Sequence, residues 1–259
     1  DSTSGIWKFK SPSGVTWGTN GFHLKFENSG NLGLDSSGQT NTFTVNGNLR
    51  QALDTPSNVH ATLNSLIPMR GTPTYESGNT YFRSNYVNWD SALSTIGVTS
   101  GKWYFEAKWG GQDNLMIGCV DVDKDPEFLS AQGTYGYVGH KGISYFGQSS
   151  NAKVIGNNNN DLYTGLTSFA SGDIIGCAID LDNREMFVHR NGTYTNSGNP
   201  ATRANPYNMA TSINQGGTVL MGVASRSGYG VELNFGNGYF SSTAITSAGS
   251  NGNGSLFEY

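Results

Sequence analysis

Gly172-Asp173-Ile174-Ile175-Gly176-Cys177-Ala178-Ile179-Asp180-Leu181-Asp182 runs directly into Asn183-Arg184-Glu185-Met186-Phe187-Val188-His189-Arg190-Asn191-Gly192. The first run is apolar and strand-like, and Asp182-Asn183 joins it to a second strand that Asn191-Gly192 ends. Asn and Gly supply the positive φ that tight turns require, and Asp side chains bond local backbone there. Asp180 and Asp182 are therefore read as turn-formers rather than as catalytic acids. Gly176 stands in mid-strand, where a Cβ would crowd a facing element. Two strands joined by so short a turn pair antiparallel.

The same grammar recurs outward from this hairpin. Lys102-Trp103-Tyr104-Phe105-Glu106-Ala107-Lys108-Trp109 places its large apolar residues at odd positions, the period of a strand with one buried face. Strands are also expected at Phe22-His23-Leu24-Lys25-Phe26, Thr42-Phe43-Thr44-Val45, Val59-His60-Ala61-Thr62-Leu63 and Thr80-Tyr81-Phe82. Further ones are expected at residues 115–122, 135–138, 142–146, 218–224 and 231–235. Asn157-Asn158-Asn159-Asn160-Asp161 reads as a polar loop tip. No segment of useful length carries a helical period. Short strands with Gly and Asn turns and no helices between them mean an all-β, antiparallel sandwich or barrel.

Composition bounds the partners. Lys and Arg number 15 against 19 acidic residues, with no basic stripe, so a nucleic-acid partner held by phosphate contacts is not expected. No apolar run approaches the roughly 20 residues of a membrane helix, so membrane insertion is not expected either. Asp1 opens the chain without a Met, which reads as a processed or excised piece. Residues 1–20 read as a lead or attachment segment, 21–245 as the sandwich with integrated N-terminal strands, and 246–259 as a flexible, truncated tail. Cys119 and Cys177 sit in matching Ile-Gly-Cys words and read as buried thiols, with their pairing left open.

Several of these words resemble the SPRY domain. Ser100-Gly101-Lys102-Trp103-Tyr104-Phe105-Glu106 is similar to its opening strand, residues 172–182 to its GDVIGCxIDLD signature, and Asn234-Phe235-Gly236 to its terminal NFG. Order and spacing agree over residues 95–236. The resemblance implies a SPRY (concanavalin-like jelly-roll) β-sandwich and a binding role without cofactor or catalysis. In peptide-gripping SPRY proteins a tyrosine stands at the place of Tyr135, and a Trp-Gly or similar pair in the last loop corresponds to Tyr229-Gly230. Tyr135, Tyr137, His140, Arg226 and Tyr229 are accordingly the candidate ligand-binding residues. Tyr and Arg on rigid loops bury area at low entropic cost.

A second resemblance covers the earlier part. Leu34-Asp35-Ser36-Ser37-Gly38, Asn41-Thr42-Phe43-Thr44, Asp54-Thr55-Pro56-Ser57-Asn58 and Ala61-Thr62-Leu63-Asn64 look like the lead-in of SPRY-containing proteins of marine bacteriophages. Those proteins are virion appendages, tail fibres or capsid decorations, and often continue past a word like Phe257-Glu258-Tyr259. This implies a location on the particle exterior, with a host cell-surface glycan or protein and other virion proteins as partners. A fibre would be a homotrimer and a decoration a monomer. The rival class is a cellular SPRY adaptor that grips a short peptide, and a third is a glycan-degrading enzyme.

Catalytic and metal patterns give less. Asp121-Val122-Asp123-Lys124-Asp125 alternates carboxylates, but an EF-hand needs Gly sixth and Glu twelfth, where Pro126 and Gln132 stand. It reads as a solvated strand end and turn, and Asp35-Ser36-Ser37-Gly38 likewise reads as a turn. The histidines His23, His60, His140 and His189 lack zinc spacing, and no nucleophile elbow or phosphate loop is present. The expectation is a binding protein and not an enzyme.

Overall fold

The computed structural model describes residues 10–47, 49, 51, 59–67, 72–85, 87–111, 115–124, 138–246, 248–249 and 255–259. The chain divides into two units, residues 1–60 and 61–259.

The second unit is an antiparallel β-sandwich. Its first sheet runs in the order β1 (Thr74–Glu76), β2 (Tyr81–Arg83), β14 (Gly230–Asn234), β4 (Lys102–Trp109), β9 (Ile174–Asp180), β10 (Glu185–Arg190) and β11 (Thr193–Tyr194). A short strand, β12 (Tyr207–Asn208), also pairs with β10. The second sheet runs β3 (Asp90–Val98), β13 (Val219–Ser225), β5 (Met116–Asp121), β6 (Ile143–Phe146), β7 (Ala152–Gly156) and β8 (Asn160–Leu166). A small hairpin, β15 (Tyr239–Phe240) with β16 (Thr243–Ala244), follows.

Alternation in β4 holds only from Phe105 on: Phe105, Ala107 and Trp109 lie in the core, beside Ile175 and Cys177 of the neighbouring β9 and in one cluster with Ile117 and Cys119 of β5, whereas Trp103 is exposed. Burial of side chains of this size stabilises by roughly 1.5–3 kcal/mol each. Both cysteines are free and buried. The strand at 115–122 lacks alternation for a physical reason, because every residue of β5 is buried. A second apolar cluster, including Leu93, Met116, Val120, Phe146 and Ile155, covers its other face beneath Val138.

Val138 belongs to a helical turn, α1 (Val138–Lys141), and not to the strand expected at 135–138, whose other residues lie outside the described ones. Its backbone N–H donates to the Ser91 hydroxyl at 3.0 Å, which seats it on β3. The turns hold as read. Asn191 (φ 49°) and Gly192 (φ 80°) form the β10–β11 turn, and the Asp180 carboxylate accepts the backbone and side-chain N–H groups of Asn183. Asn157, Asn158 and Asn159 all adopt positive φ at the tip of the β7–β8 hairpin, while Asn160 already belongs to β8.

The first unit is organised by a carboxylate rather than by strands. Phe22-His23-Leu24-Lys25-Phe26 does not form one: only Leu24 makes a bridge, to Asp35, and Phe26 turns to φ 56°. Asp35 accepts the backbone N–H groups of His23, Ser37 and Asn41 and the Ser37 hydroxyl, all within 2.9 Å. Burial opposes its charge, but these donors outweigh that and hold its pKa at about 2.

Candidate ligand-binding face

Three connections that leave one end of the strands build the candidate face. The loop from β13 to β14 carries Arg226 and Tyr229, with Ser227 (φ 59°) and Gly228 (φ 83°) at its tip. Two residues of positive φ fold the loop tightly, and the Ser225 hydroxyl locks it by donating to the Tyr229 carbonyl at 3.1 Å. The stretch before β3 supplies Val87 and Trp89. The Ser227 hydroxyl reaches the Val87 carbonyl at 3.5 Å, a weak tie between the two loops. Beyond β4, Gly110 donates its N–H to the Gly230 carbonyl at 3.0 Å and so brings the strand end alongside the same loop.

Aromatic packing fixes the side chains. The Arg226 guanidinium carbon lies 5.4 Å from the centroid of the Trp89 ring. Trp89 in turn meets Phe146 edge-on at 5.3 Å, so the platform is braced from the sheet. A cation over an indole is worth roughly 0.5–2 kcal/mol and leaves the guanidinium edge free to donate hydrogen bonds. Among the described residues no carboxylate pairs with Arg226. Tyr229 packs against Trp109 with ring centroids 5.7 Å apart. Gly111 permits that contact, since a Cβ there would stand 2.5 Å from Trp109 Cζ2 and 2.7 Å from Tyr229 Cγ. The Nε1 of Trp109 is buried and has no acceptor among the described residues. Buried indole N–H groups ordinarily find one. Val87 stands 74% exposed beside this platform.

Of the residues named from sequence, Arg226 and Tyr229 share one loop, half-buried and braced from below. Tyr135 and Tyr137 lie outside the described residues. His140 falls within α1, and its side chain lies outside the description. Trp89 and Val87 were not read from sequence. Trp89 is a lone aromatic among Asn and Asp, and nothing in its neighbours marks it as a platform.

The acidic turns act as backbone caps. Asp121 is fully buried rather than solvated, and its carboxylate accepts the N–H groups of Asp123 and Lys124 at 3.1 Å and of Asn214 at 2.8 Å. Asp123 accepts the Thr218 N–H at 2.7 Å, which lowers its pKa. Among the described residues no group of three or more His, Cys, Asp or Glu side chains is placed to hold a metal ion. No helix among them is long and apolar enough to cross a membrane.

Residues 102–238 match the family model of the SPRY domain. Over 107 residues, 40% of the chain, the sequence is 33% identical to the dual specificity protein kinase splA of Dictyostelium discoideum. The chain spans only 4% of that relative's length. Among solved structures it is similar to the SPRY domain of human HERC1, with a TM-score of 0.46 at 18% identity, covering 62% of this chain and 91% of that one. It is also similar to the TRIM65 PSpry domain, with a TM-score of 0.45 at 11% identity, covering 68% and 89%.

Proposed function

This chain belongs to the SPRY family, a family of protein-interaction modules, and from that we propose that it is a non-enzymatic binding protein whose Arg226–Tyr229 loop face grips its partner. The observation that carries this reading is Arg226, stacked on Trp89 and without a carboxylate partner among the described residues. A guanidinium held by an indole is preorganised to meet carbonyl or carboxylate acceptors, and Val87 and Tyr229 beside it offer apolar area. That combination of an arginine and aromatic anchors around a small apolar patch is what concentrates binding energy at protein interfaces. Tyr135 stays in the proposed site on family resemblance, and Tyr137 and His140 as residues of the same segment.

The finer setting we propose is the exterior of a bacteriophage particle, as a distal tail fibre or capsid decoration that adheres to a host surface glycan or protein. Its support is the run of words at residues 34–64, together with a sequence in which Gly, Asn, Ser and Thr outweigh charge. Copies on one particle would turn weak single sites into firm adhesion. A cellular adaptor that takes a short peptide fits the family equally well, and the same face would serve it.

One experiment addresses both levels. The full chain is screened on a peptide array and a glycan array, and the leading ligand is then titrated against Arg226→Ala and Tyr229→Ala. A loss of about tenfold or more in affinity for each variant is expected. Unchanged binding by both would remove this face from the reading. A single linear peptide motif favours the adaptor, and a polysaccharide favours the particle. Release of reducing ends from that polysaccharide would overturn the non-enzymatic reading.

A further inference from the structure

The outer face of the first sheet carries a polar row that the Arg226 face does not use. Register aligns Asn234 of β14 with Glu106 of β4, Glu106 with Gly176 of β9, and Gly176 with His189 of β10. Glu106 is 0% exposed, in mid-sheet. A carboxylate buried without full hydrogen bonding costs several kcal/mol, so its donors must be accounted for.

There are four donors among the described residues. The sandwich supplies two: the Tyr104 hydroxyl to Oε1 at 2.9 Å and the Asn234 amide to Oε2 at 3.2 Å. The other two are consecutive backbone N–H groups, Glu258 to Oε2 at 2.9 Å and Tyr259 to Oε1 at 3.0 Å. One carboxylate thus reads the two successive amides of residues 258 and 259. That segment is gripped at each neighbouring residue. Asn234 Nδ2 also donates to the Leu256 carbonyl at 2.9 Å, and the Leu256 N–H donates to the Gly236 carbonyl at 2.8 Å. The Phe257 ring meets Tyr104 edge-on at 4.7 Å, and the Tyr259 ring meets His189 edge-on at 5.6 Å. Tyr194 braces His189 at 5.3 Å. Gly192 completes the seat, since a Cβ there would stand 2.7 Å from the Tyr259 ring.

This is the anatomy of peptide recognition: main-chain hydrogen bonds hold the segment, and pockets take alternate side chains. It differs from an ordinary lid in one respect. An apolar lid that lifts bares an apolar face, whereas here Tyr104 stays bonded to His189 and Glu106, Asn234 stays bonded to Glu106, and water can replace the two lost amides. Tyr259 is 52% exposed even when seated. The Glu258 side chain points to Thr246 and not into the groove, so the middle position is not read.

We propose that this sheet face is a second binding site, a groove for an aromatic–x–aromatic segment of a partner protein, which Phe257-Glu258-Tyr259 occupies within the same chain. It stands independently of the Arg226 face. The tethered segment acts as a competitor at an effective concentration on the order of millimolar, so a partner must outbid it.

The test uses the full chain carrying Phe257→Ser and Tyr259→Ser, titrated with a fluorescein-labelled Ser-Leu-Phe-Glu-Tyr peptide by anisotropy. Saturable binding is expected, at least about tenfold tighter than to the unsubstituted chain. Adding Glu106→Gln, or N-methylating the peptide's tyrosine amide, is expected to weaken it about tenfold or more, while Arg226→Ala leaves it unchanged. A folded double variant that does not bind at 1 mM peptide, or that binds the methylated peptide equally, overturns the proposal. Should that variant fail to fold, hydrogen exchange on the unsubstituted chain decides. Glu258 and Tyr259 amides that exchange about a hundredfold faster than those of Cys177 and Val188 support a detachable segment, and equal protection overturns it.

Discussion

Nε2 of His189 lies 2.6 Å from the Tyr104 hydroxyl, although β9 runs between the strands that carry them. The contact exists because the residue between them is Gly176, whose missing Cβ would stand 2.0 Å from that nitrogen and 2.4 Å from that oxygen. The tautomer follows from the other side of the ring. Nδ1 accepts the Gly192 N–H at 3.1 Å, so Nε2 carries the proton and donates it to Tyr104, which donates onward to Glu106. Burial pushes the Tyr104 hydroxyl far above the ordinary tyrosine range, with Glu106 adding to the effect, so it remains a donor.

Gly176→Ala is therefore expected to destabilise the sandwich by about 1–3 kcal/mol, since the new methyl must displace two hydrogen-bonded groups. The melting temperature should fall by roughly 2–10 °C in a calorimetric scan. An unchanged melting temperature would mean that the His189–Tyr104 contact is not formed.

Burial lowers the His189 pKa from 6.5 to about 4. The folded chain then binds fewer protons than the unfolded one between those values. The stability that neutral His189 confers is complete above about pH 6.5 and is lost as pH falls toward 4. Its full extent is of order 3 kcal/mol. Glu106 works in the opposite sense, because burial raises its pKa and its contribution is lost as pH rises. Tyr259 also faces the ring, as do Tyr104 and Tyr194, whose hydroxyl pKa burial raises so that they stay neutral in this window. Denaturation of wild type and His189→Gln at pH 4.5, 5.5 and 7 checks this: the gap between them should widen with pH, and a constant gap would refute it.

Asp121 holds three backbone N–H groups with no exposure to water. Asp121→Ala leaves those donors unmatched and is expected to cost about 2–4 kcal/mol, with Asp121→Asn costing less. Millimolar calcium should not move the wild-type melting temperature. A rise of several degrees would make this turn a metal loop after all.

Both thiols should be silent in the folded protein. Burial pushes Cys119 up to about 12, with Asp121 adding to the effect, and raises Cys177 well above its ordinary value. At pH 8 the Cys119 thiolate is then about one part in ten thousand. Titration with a disulfide reagent is expected to find no reactive thiol in native protein and two after denaturation. Rapid native labelling of either would contradict the burial.

Much of this architecture was legible because β4, β9 and β10 each carry a complete pattern with its turn residues. Two of the strands that escaped notice, β3 and β8, share a cause. β3 hides two serines inside the protein, where Ser91 accepts the Val138 N–H and Ser94 the Met221 N–H, so its sequence looks polar although its first five residues are buried. β8 is mostly exposed and opens with Asn and Asp, which read as loop. The reverse errors, strands at residues 22–26, 42–45 and 59–63, where only Leu24 and Leu63 make isolated bridges, arose because alternation alone does not supply a partner for the backbone. Of the Arg226 face, the arginine and tyrosine were readable as loop anchors. Trp89 was not, because a platform is made by what stacks on it. The groove left two traces, a glutamate inside an apolar strand and a glycine opposite it. Only register joins them to residues 257–259.

β14 lies between β2 and β4, with Val231 paired to Phe82 on one side and to Trp109 on the other. A ribosome making this chain releases β2 and β4 long before the strand that must separate them. Until residues 230–234 emerge, the first sheet has a gap and two bare edges. Pairings between such distant parts of a sequence form slowly, and unpaired edges invite association in the meantime. The sandwich is thus a late-closing one, and chains expressed with a stop before Gly230 should accumulate as aggregate rather than as a smaller folded domain.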